Sequence, residues 1–126
     1  LHYQDKSTSR LTSELFRIFR FVEVLRDMKP DMELQLASLF MLIAMRQGIG
    51  QHELRRLMDI SQGGVSRNVT ALTAIDRHGK PGLNFVVQRR NPMDARYTQL
   101  FLTDEGHAFV GKLLAALRDK AALASS

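Results

Sequence analysis

Residues 51–75, QHELRRLMDI followed by SQGGVSRNVTALTAI, decide the fold. In the first ten, Leu54, Leu57 and Met58 recur at three- and four-residue steps, which predicts a short helix burying them with Arg55 and Arg56 outward. Ser61 is a good N-cap. Beyond it, Val65, Val69, Leu72 and Ile75 form the apolar stripe of a second helix, leaving Gln62, Ser66, Arg67, Asn68 and Thr70 largely on other faces. Two short helices joined across Met58-Asp59-Ile60-Ser61 make a helix-turn-helix. Gly63 and Gly64 stand in its first turn, where each weakens a helix by about 1 kcal/mol relative to Ala. Either the helix starts later, near Val65, or another feature compensates.

On the N-terminal side, Leu11, Leu15, Ile18, Phe19, Val22 and Leu25 recur with helical period, predicting a long first helix over 11–27. Phe16 and Phe21 lie off that stripe and suggest a second apolar surface for a partner subunit to cover. Pro30 breaks the chain, Asp31 can cap a new helix, and Met32 to Met45 is apolar nearly all round, as in a central core helix ended by Gly48 and Gly50. On the C-terminal side, the Gly and Pro of DRHGKPG (76–82) end the second short helix. LNFVVQRR (83–90) and YTQLFL (97–102) then read as strands around the turn NPMDAR (91–96). This β-hairpin with a basic tip is the wing of a winged helix. Thr103 can cap a last helix over 104–122, with Asp104 and Glu105 in its positive first turn. The expected architecture is therefore mainly α with a small β-hairpin wing. A single domain spans 1–126, with the helix-turn-helix and wing at 51–103.

The 126 residues suffice for one core. No apolar run approaches the roughly 18 residues of a membrane-spanning helix, and LHYQDKSTSR is no secretory signal, so a soluble protein without a membrane partner is expected. With no cysteine, a disulfide framework and cysteine-based peroxide sensing are excluded. His2, His52, His78 and His107 have no metal-ligand spacing, and no cofactor is implied. Enzyme signatures are missing too. His52-Glu53 lacks the second His of a zinc-protease helix, and Gly63-Gly64 lacks a nucleotide-loop Lys. The charge is concentrated. Residues 61–103 hold Arg67, Arg77, Lys80, Arg89, Arg90 and Arg96 against Asp76 and Asp94, which is +4 of the total +5. Such an excess favours polyanions through phosphate neutralisation, although a solvated basic face has the same composition.

The motifs HELRRLMDIS (52–61) leading into VSRNVTAL (65–72), Asp94-Ala95-Arg96 at the wing tip, and LFLTDEGHAF (100–109) together resemble the MarR family of bacterial transcription regulators. The last is similar to that family's Leu-x-Leu-Thr-x-x-Gly junction. DRHGKPG is several residues longer than the family's tight turn, which suggests a displaced wing. The resemblance implies a homodimeric, cytoplasmic, prokaryotic transcription regulator, associated with the nucleoid when bound to double-stranded DNA and regulated in many members by a small-molecule effector. It also implies that the first and last helices intertwine, with Phe19, Val22, Phe109, Leu113 and Leu117 as interface candidates, although burial in the subunit's own core is the competing reading. Met32, Met41, Met45 and Met58 could line an effector pocket, but methionines at helical spacing are more often ordinary core fillers.

The N-terminal residues of a second helix reach base edges in the major groove, which singles out Gln62, Ser66, Arg67 and Asn68, with Thr70 further along the helix. Gly63 and Gly64 allow close approach to a phosphate, or simply mark a loop. In the wing, Arg89, Arg90 and Arg96 suit phosphates and narrow minor grooves, and the resemblance implies that Asp94 orients Arg96. Tyr97 either bonds a phosphate or packs. The function these expectations describe is sequence-specific binding of a near-palindromic site by a repressor. Plasmid or phage replication or partition control shares that chemistry, and a winged-helix adaptor for proteins shares the fold.

Overall fold

The computed structural model describes residues 6–118. Along the chain run α1 (Lys6–Met28), α2 (Leu34–Met45), α3 (Gln51–Met58), α4 (Gln62–Leu72), β1 (Val86–Asn91), β2 (Asp94–Leu102) and α5 (Asp104–Arg118). The fold class is the expected one, five helices and a two-stranded antiparallel hairpin. Of the last helix expected over 104–122, residues 119–122 lie outside the described residues. The chain groups into two compact units. One is Glu33–Val110, and the other combines the segments before and after it.

The Glu33–Val110 unit has one core. From α2 come Leu36, Ala37, Leu39, Phe40 and Ile43; α3 adds Leu54, and α4 adds Val65, Val69 and Leu72. Phe40, Phe85 and Phe109 close it from three segments, with Phe85 and Phe109 stacked at 4.8 Å between ring centres. Phe109 is thus a core residue here, 3% exposed, and not the interface residue it was expected to be. α2 starts two residues later than its apolar run, after Glu33, and Asp31 does not cap it but pairs with Lys29 at 2.9 Å. Leu34 and Met45, at the ends of α2, are exposed, so the helix is buried through its middle.

The wing is joined to the α2–α3 junction. Gly48 N donates to Leu100 O at 2.7 Å, and Leu100 N donates to Ile49 O at 2.9 Å, so Ile49 extends the hairpin by an isolated bridge. Gln47 Oε1 accepts from Leu102 N at 3.0 Å, and Gln51 reaches Gln88 at 3.1 Å. The second strand is longer than expected, since Asp94, Ala95 and Arg96 belong to it, with a register irregularity between Arg90 and Asn91. Thr103 caps α5 as expected, its Oγ1 accepting from Gly106 N at 3.0 Å.

The long turn after α4 is closed at its base by backbone bonds. Phe85 N donates to Leu72 O at 2.8 Å and Asn84 N to Thr73 O at 3.1 Å, so the chain leaves and returns at one place. Residues 73–84 are an excursion closed at its base. Ile75, expected in the α4 stripe, lies beyond the helix end and is 63% exposed. The return path runs so close to α4 that a β-carbon on Gly82 would sit 2.1 Å from the Thr73 carbonyl oxygen.

In the other unit, the apolar residues of α1 divide between exposed and covered positions differently from the two expected surfaces. Leu11, Leu15, Ile18, Phe19 and Val22 are exposed, while Phe16 and Phe21 are half-buried and Leu25 is buried. Helical period identifies an apolar face without saying what covers it. Leu113 is buried at 3%, which corrects its assignment as an interface residue, whereas Leu114 and Leu117 are exposed.

Gly82→Ala is expected to open the base of the excursion and destabilise the protein by about 2 kcal/mol or more, as overpacking against backbone does. A thermal melt unchanged from the parent protein would contradict that close approach.

Candidate nucleic-acid interface

The α3–α4 turn fixes where α4 begins. Asp59 takes a left-handed conformation (φ 54°) that ends α3, and Ser61 Oγ accepts from Gly64 N at 3.0 Å. This cap lets α4 start at Gln62 despite its two glycines, which are not equivalent. Gly64 is buried, and a β-carbon there would sit 3.2 Å from Ser61 Oγ, whereas at Gly63 its nearest neighbour would be 4.0 Å away. The cap therefore needs a small residue at 64, while the exposed Gly63 is free of that steric demand.

With Val65, Val69 and Leu72 buried, α4 presents Gln62, Gly63, Ser66 and Arg67 to solvent, and Thr70 is half-buried with its hydroxyl bonded to Ser66 O at 2.7 Å. Asn68 is a correction. It is 6% exposed, and its Nδ2 donates to Gln35 Oε1 of α2 at 2.8 Å. Positions 65, 68, 69 and 72 form one helical stripe, so Asn68 is the polar member of the core face and is not available to a base edge. Gly64, on the same side, is likewise withdrawn.

The wing arginines are each held by a neighbour. Arg96 makes a two-pronged contact with Asp94, Nε to Oδ1 at 3.0 Å and the terminal nitrogen to Oδ2 at 2.8 Å. Arg96 N also donates to Asp94 Oδ1. The guanidinium lies 5.6 Å from the centre of the Tyr97 ring. Arg90 donates to Ala95 O across the hairpin at 3.0 Å, and Arg89 sits 5.5 Å from the centre of the Phe101 ring. Successive strand residues point to opposite sides, so Arg89 and Arg90 do not share a face. Hydrogen bonds from the Arg96 side chain, then from its backbone, lower the Asp94 pKa, and the same side-chain bond raises that of Arg96. Because the Asp94 value is lower folded than unfolded, the pair contributes above the ordinary carboxylate range. That contribution disappears as pH falls through the lowered value.

Two further residues adjoin this surface. His52 and Arg55 of α3 line one groove with Gln62 at the start of α4. The outward direction of Arg55 follows from periodicity, but its meeting with Gln62 depends on the angle between the helices, which periodicity does not encode. Arg56 is instead tied to Glu53 at 3.2 Å, and Arg46 reaches the same carboxylate at 3.1 Å. Among the described residues, no group of three His, Cys, Asp or Glu is placed to hold a metal, and no helix is long and apolar enough to cross a membrane.

These elements define a winged helix with an exposed polar and basic surface along α4 and the wing. No protein-family model matches the chain, and no curated protein matches it. Solved structures do. RV1404 from Mycobacterium tuberculosis superposes with a TM-score of 0.70 at 13% identity, over 99% of this chain and 82% of that one. Wild-type MarR from E. coli, in its apo form, gives 0.61 at 16% identity, covering 92% and 78% of the two chains. The transcriptional repressor CouR, bound to a 23-mer DNA duplex, gives 0.61 at 20% identity, over 93% and 75%. The fold is MarR-like.

Asp94→Ala separates orientation from net charge. It makes the protein more positive, so if this surface meets DNA, long-range electrostatics alone would tighten binding. Removal of the Arg96 anchor is expected to weaken it several-fold with no change in fold, as read by duplex titration and circular dichroism. Asn68→Ala is expected to lower stability by about 1–3 kcal/mol by removing a buried hydrogen-bond partner. A melting temperature equal to that of the parent would show that the Asn68–Gln35 bond contributes nothing.

Proposed function

We propose that this protein is a double-stranded DNA-binding transcription regulator, acting as a homodimer on a near-palindromic site in the cytoplasm of a prokaryote. The observation that carries this reading is the outward face of α4, where Gln62, Ser66 and Arg67 stand exposed on a helix whose opposite face is fully buried. An α-helix fits the major groove, and its N-terminal residues reach base edges. Arg67 is suited to a guanine and Gln62 to an adenine, each through two hydrogen bonds. Arg96, held by Asp94 and Tyr97, is suited to the minor groove or the backbone beside it. His52 and Arg55 are placed for phosphate contact next to Gln62. DNA is the partner seen with the similarly folded CouR.

The exposed apolar residues of α1 and the end of α5 support dimerisation in this reading. Phe19 is 57% exposed, and with Leu15, Val22 and Leu117 it supplies apolar surface of the kind that a subunit contact covers. Two-fold symmetry sets recognition helices about 34 Å apart, one turn of duplex, and hence calls for a palindromic site. We further propose repression as the outcome, since a dimer seated on an operator blocks access to it.

Selection of bound duplexes from a random pool is expected to enrich an inverted repeat, with affinity falling steeply as salt rises. Arg67→Ala should change the preferred base at one position in each half-site, at a cost of about 1–3 kcal/mol, whereas Arg96→Ala should weaken all sequences alike. Equal losses on every sequence for both variants would refute base reading by Arg67. Sedimentation of Phe19→Glu is expected to show a monomer, and an unchanged dimer would remove that face from the interface.

A further inference from the structure

The excursion between α4 and β1 is not needed to connect them. Leu72 and Phe85 are already joined by a 2.8 Å backbone bond at its base, and Leu83 N donates to Ala71 O at 3.0 Å. It nevertheless has a defined shape. Asp76 Oδ1 accepts from the backbone N–H groups of both His78 and Lys80 at 2.9 Å, Asp76 N donates to Lys80 O at 2.7 Å, and Ile75 bridges to Pro81. These bonds, led by that from Lys80 N, hold the Asp76 carboxyl below the usual carboxylate range. The acidic group of the excursion is thus turned inward onto its own backbone. Arg77, His78 and Lys80 are left exposed at the tip.

One bland explanation is that these cations neutralise the negative end of α4. The hydrogen bonds oppose it. The last carbonyls of α4 are already taken, Thr70 O by Thr73, Ala71 O by Leu83 N and Leu72 O by Phe85 N. Arg77 and Lys80 are two of the six basic residues in the segment that carries nearly all the net charge, on an element that adds no side chain to the buried core. Its position matters as well. α4 has 11 residues and is therefore about 16 Å long, against a major groove about 12 Å wide. A helix of that length entering the groove with Gln62 foremost carries its other end out toward the phosphate rim. The excursion is rooted there.

We infer that residues 73–84 form a third DNA-contacting element, in which Arg77 and Lys80 bind backbone phosphates beyond those reached by α4 and the wing. This rests on the DNA-binding reading above. The ordered backbone fixes where the two cations project, so the element lengthens the bound footprint without adding base specificity.

The test is the double variant Arg77→Gln, Lys80→Gln in the full chain, titrated from low to moderate salt against a random-sequence duplex and against the duplex enriched by selection. Both side chains are exposed, so the variant is expected to melt as the parent does. Removing one cation from a phosphate lowers the salt slope by about 0.9, so the slope should fall by about two, with affinity roughly tenfold weaker or more near 0.1 M salt. Base preference should stay the same, and backbone protection should shrink at the outer edges of the footprint. A variant with the parent's slope and footprint, in a preparation where Arg96→Ala lowers both, would overturn the third DNA-contacting element and leave the DNA reading standing. A parent protein with no salt-dependent duplex binding would overturn both.

Discussion

Burial of one face of α4 is the constraint on which the rest depends. Val65 and Val69 are fully enclosed, Leu72 is nearly so, and together they hold the helix against α2 and α3. Once those three face inward, the helix cannot rotate without exposing them, and each fully buried apolar side chain is worth about 1.5–3 kcal/mol. Everything presented outward, Gln62, Ser66 and Arg67 above all, is presented because its neighbours are not free to turn. The Asn68–Gln35 bond adds a directional element to this apolar contact. It fixes the rotation of α4 relative to α2 in a way that methyl groups alone do not.

The same constraint explains what is and is not legible in the sequence. The stripe of Val65, Val69 and Leu72, the Ser61 cap, the hairpin and the Thr103 cap all follow from local spacing and side-chain chemistry, and each is present in the structure. Asn68 misleads because its polarity points outward while its position points inward. Three residues after Val65 and four before Leu72, it falls on the inner stripe whatever its chemistry. The exposed stripe of α1 shows the opposite case. Its period is regular, but period cannot state whether an apolar face meets its own chain or another.

Longer-range features are illegible for a different reason. The bridge from Ile49 to Leu100 and the closure of Leu72 onto Phe85 join residues far apart in sequence through backbone groups, which every residue type carries. No composition announces them. The extra length of DRHGKPG is visible in the sequence, and it suggests a moved wing. In the structure, those residues loop out above a base closed by backbone bonds between Leu72 and Phe85, a closure that length alone does not announce.

Pre-organisation gives the basic surface its character. A free arginine side chain has about 2 kcal/mol of rotamer entropy to lose on binding a phosphate. In the wing, the arginine side chains are already confined by contacts within the protein. Asp94 and Tyr97 confine Arg96, Ala95 O holds Arg90, and Phe101 underlies Arg89. The excursion follows the same rule through its backbone, with Asp76 drawing two amides onto itself so that the basic tip keeps its shape. Both acidic residues of segment 61–103 are thereby used as internal braces for basic neighbours. A surface built on charge alone would gain nothing from either aspartate, since each lowers the net charge by one, whereas a surface that must meet phosphates at fixed positions gains from both.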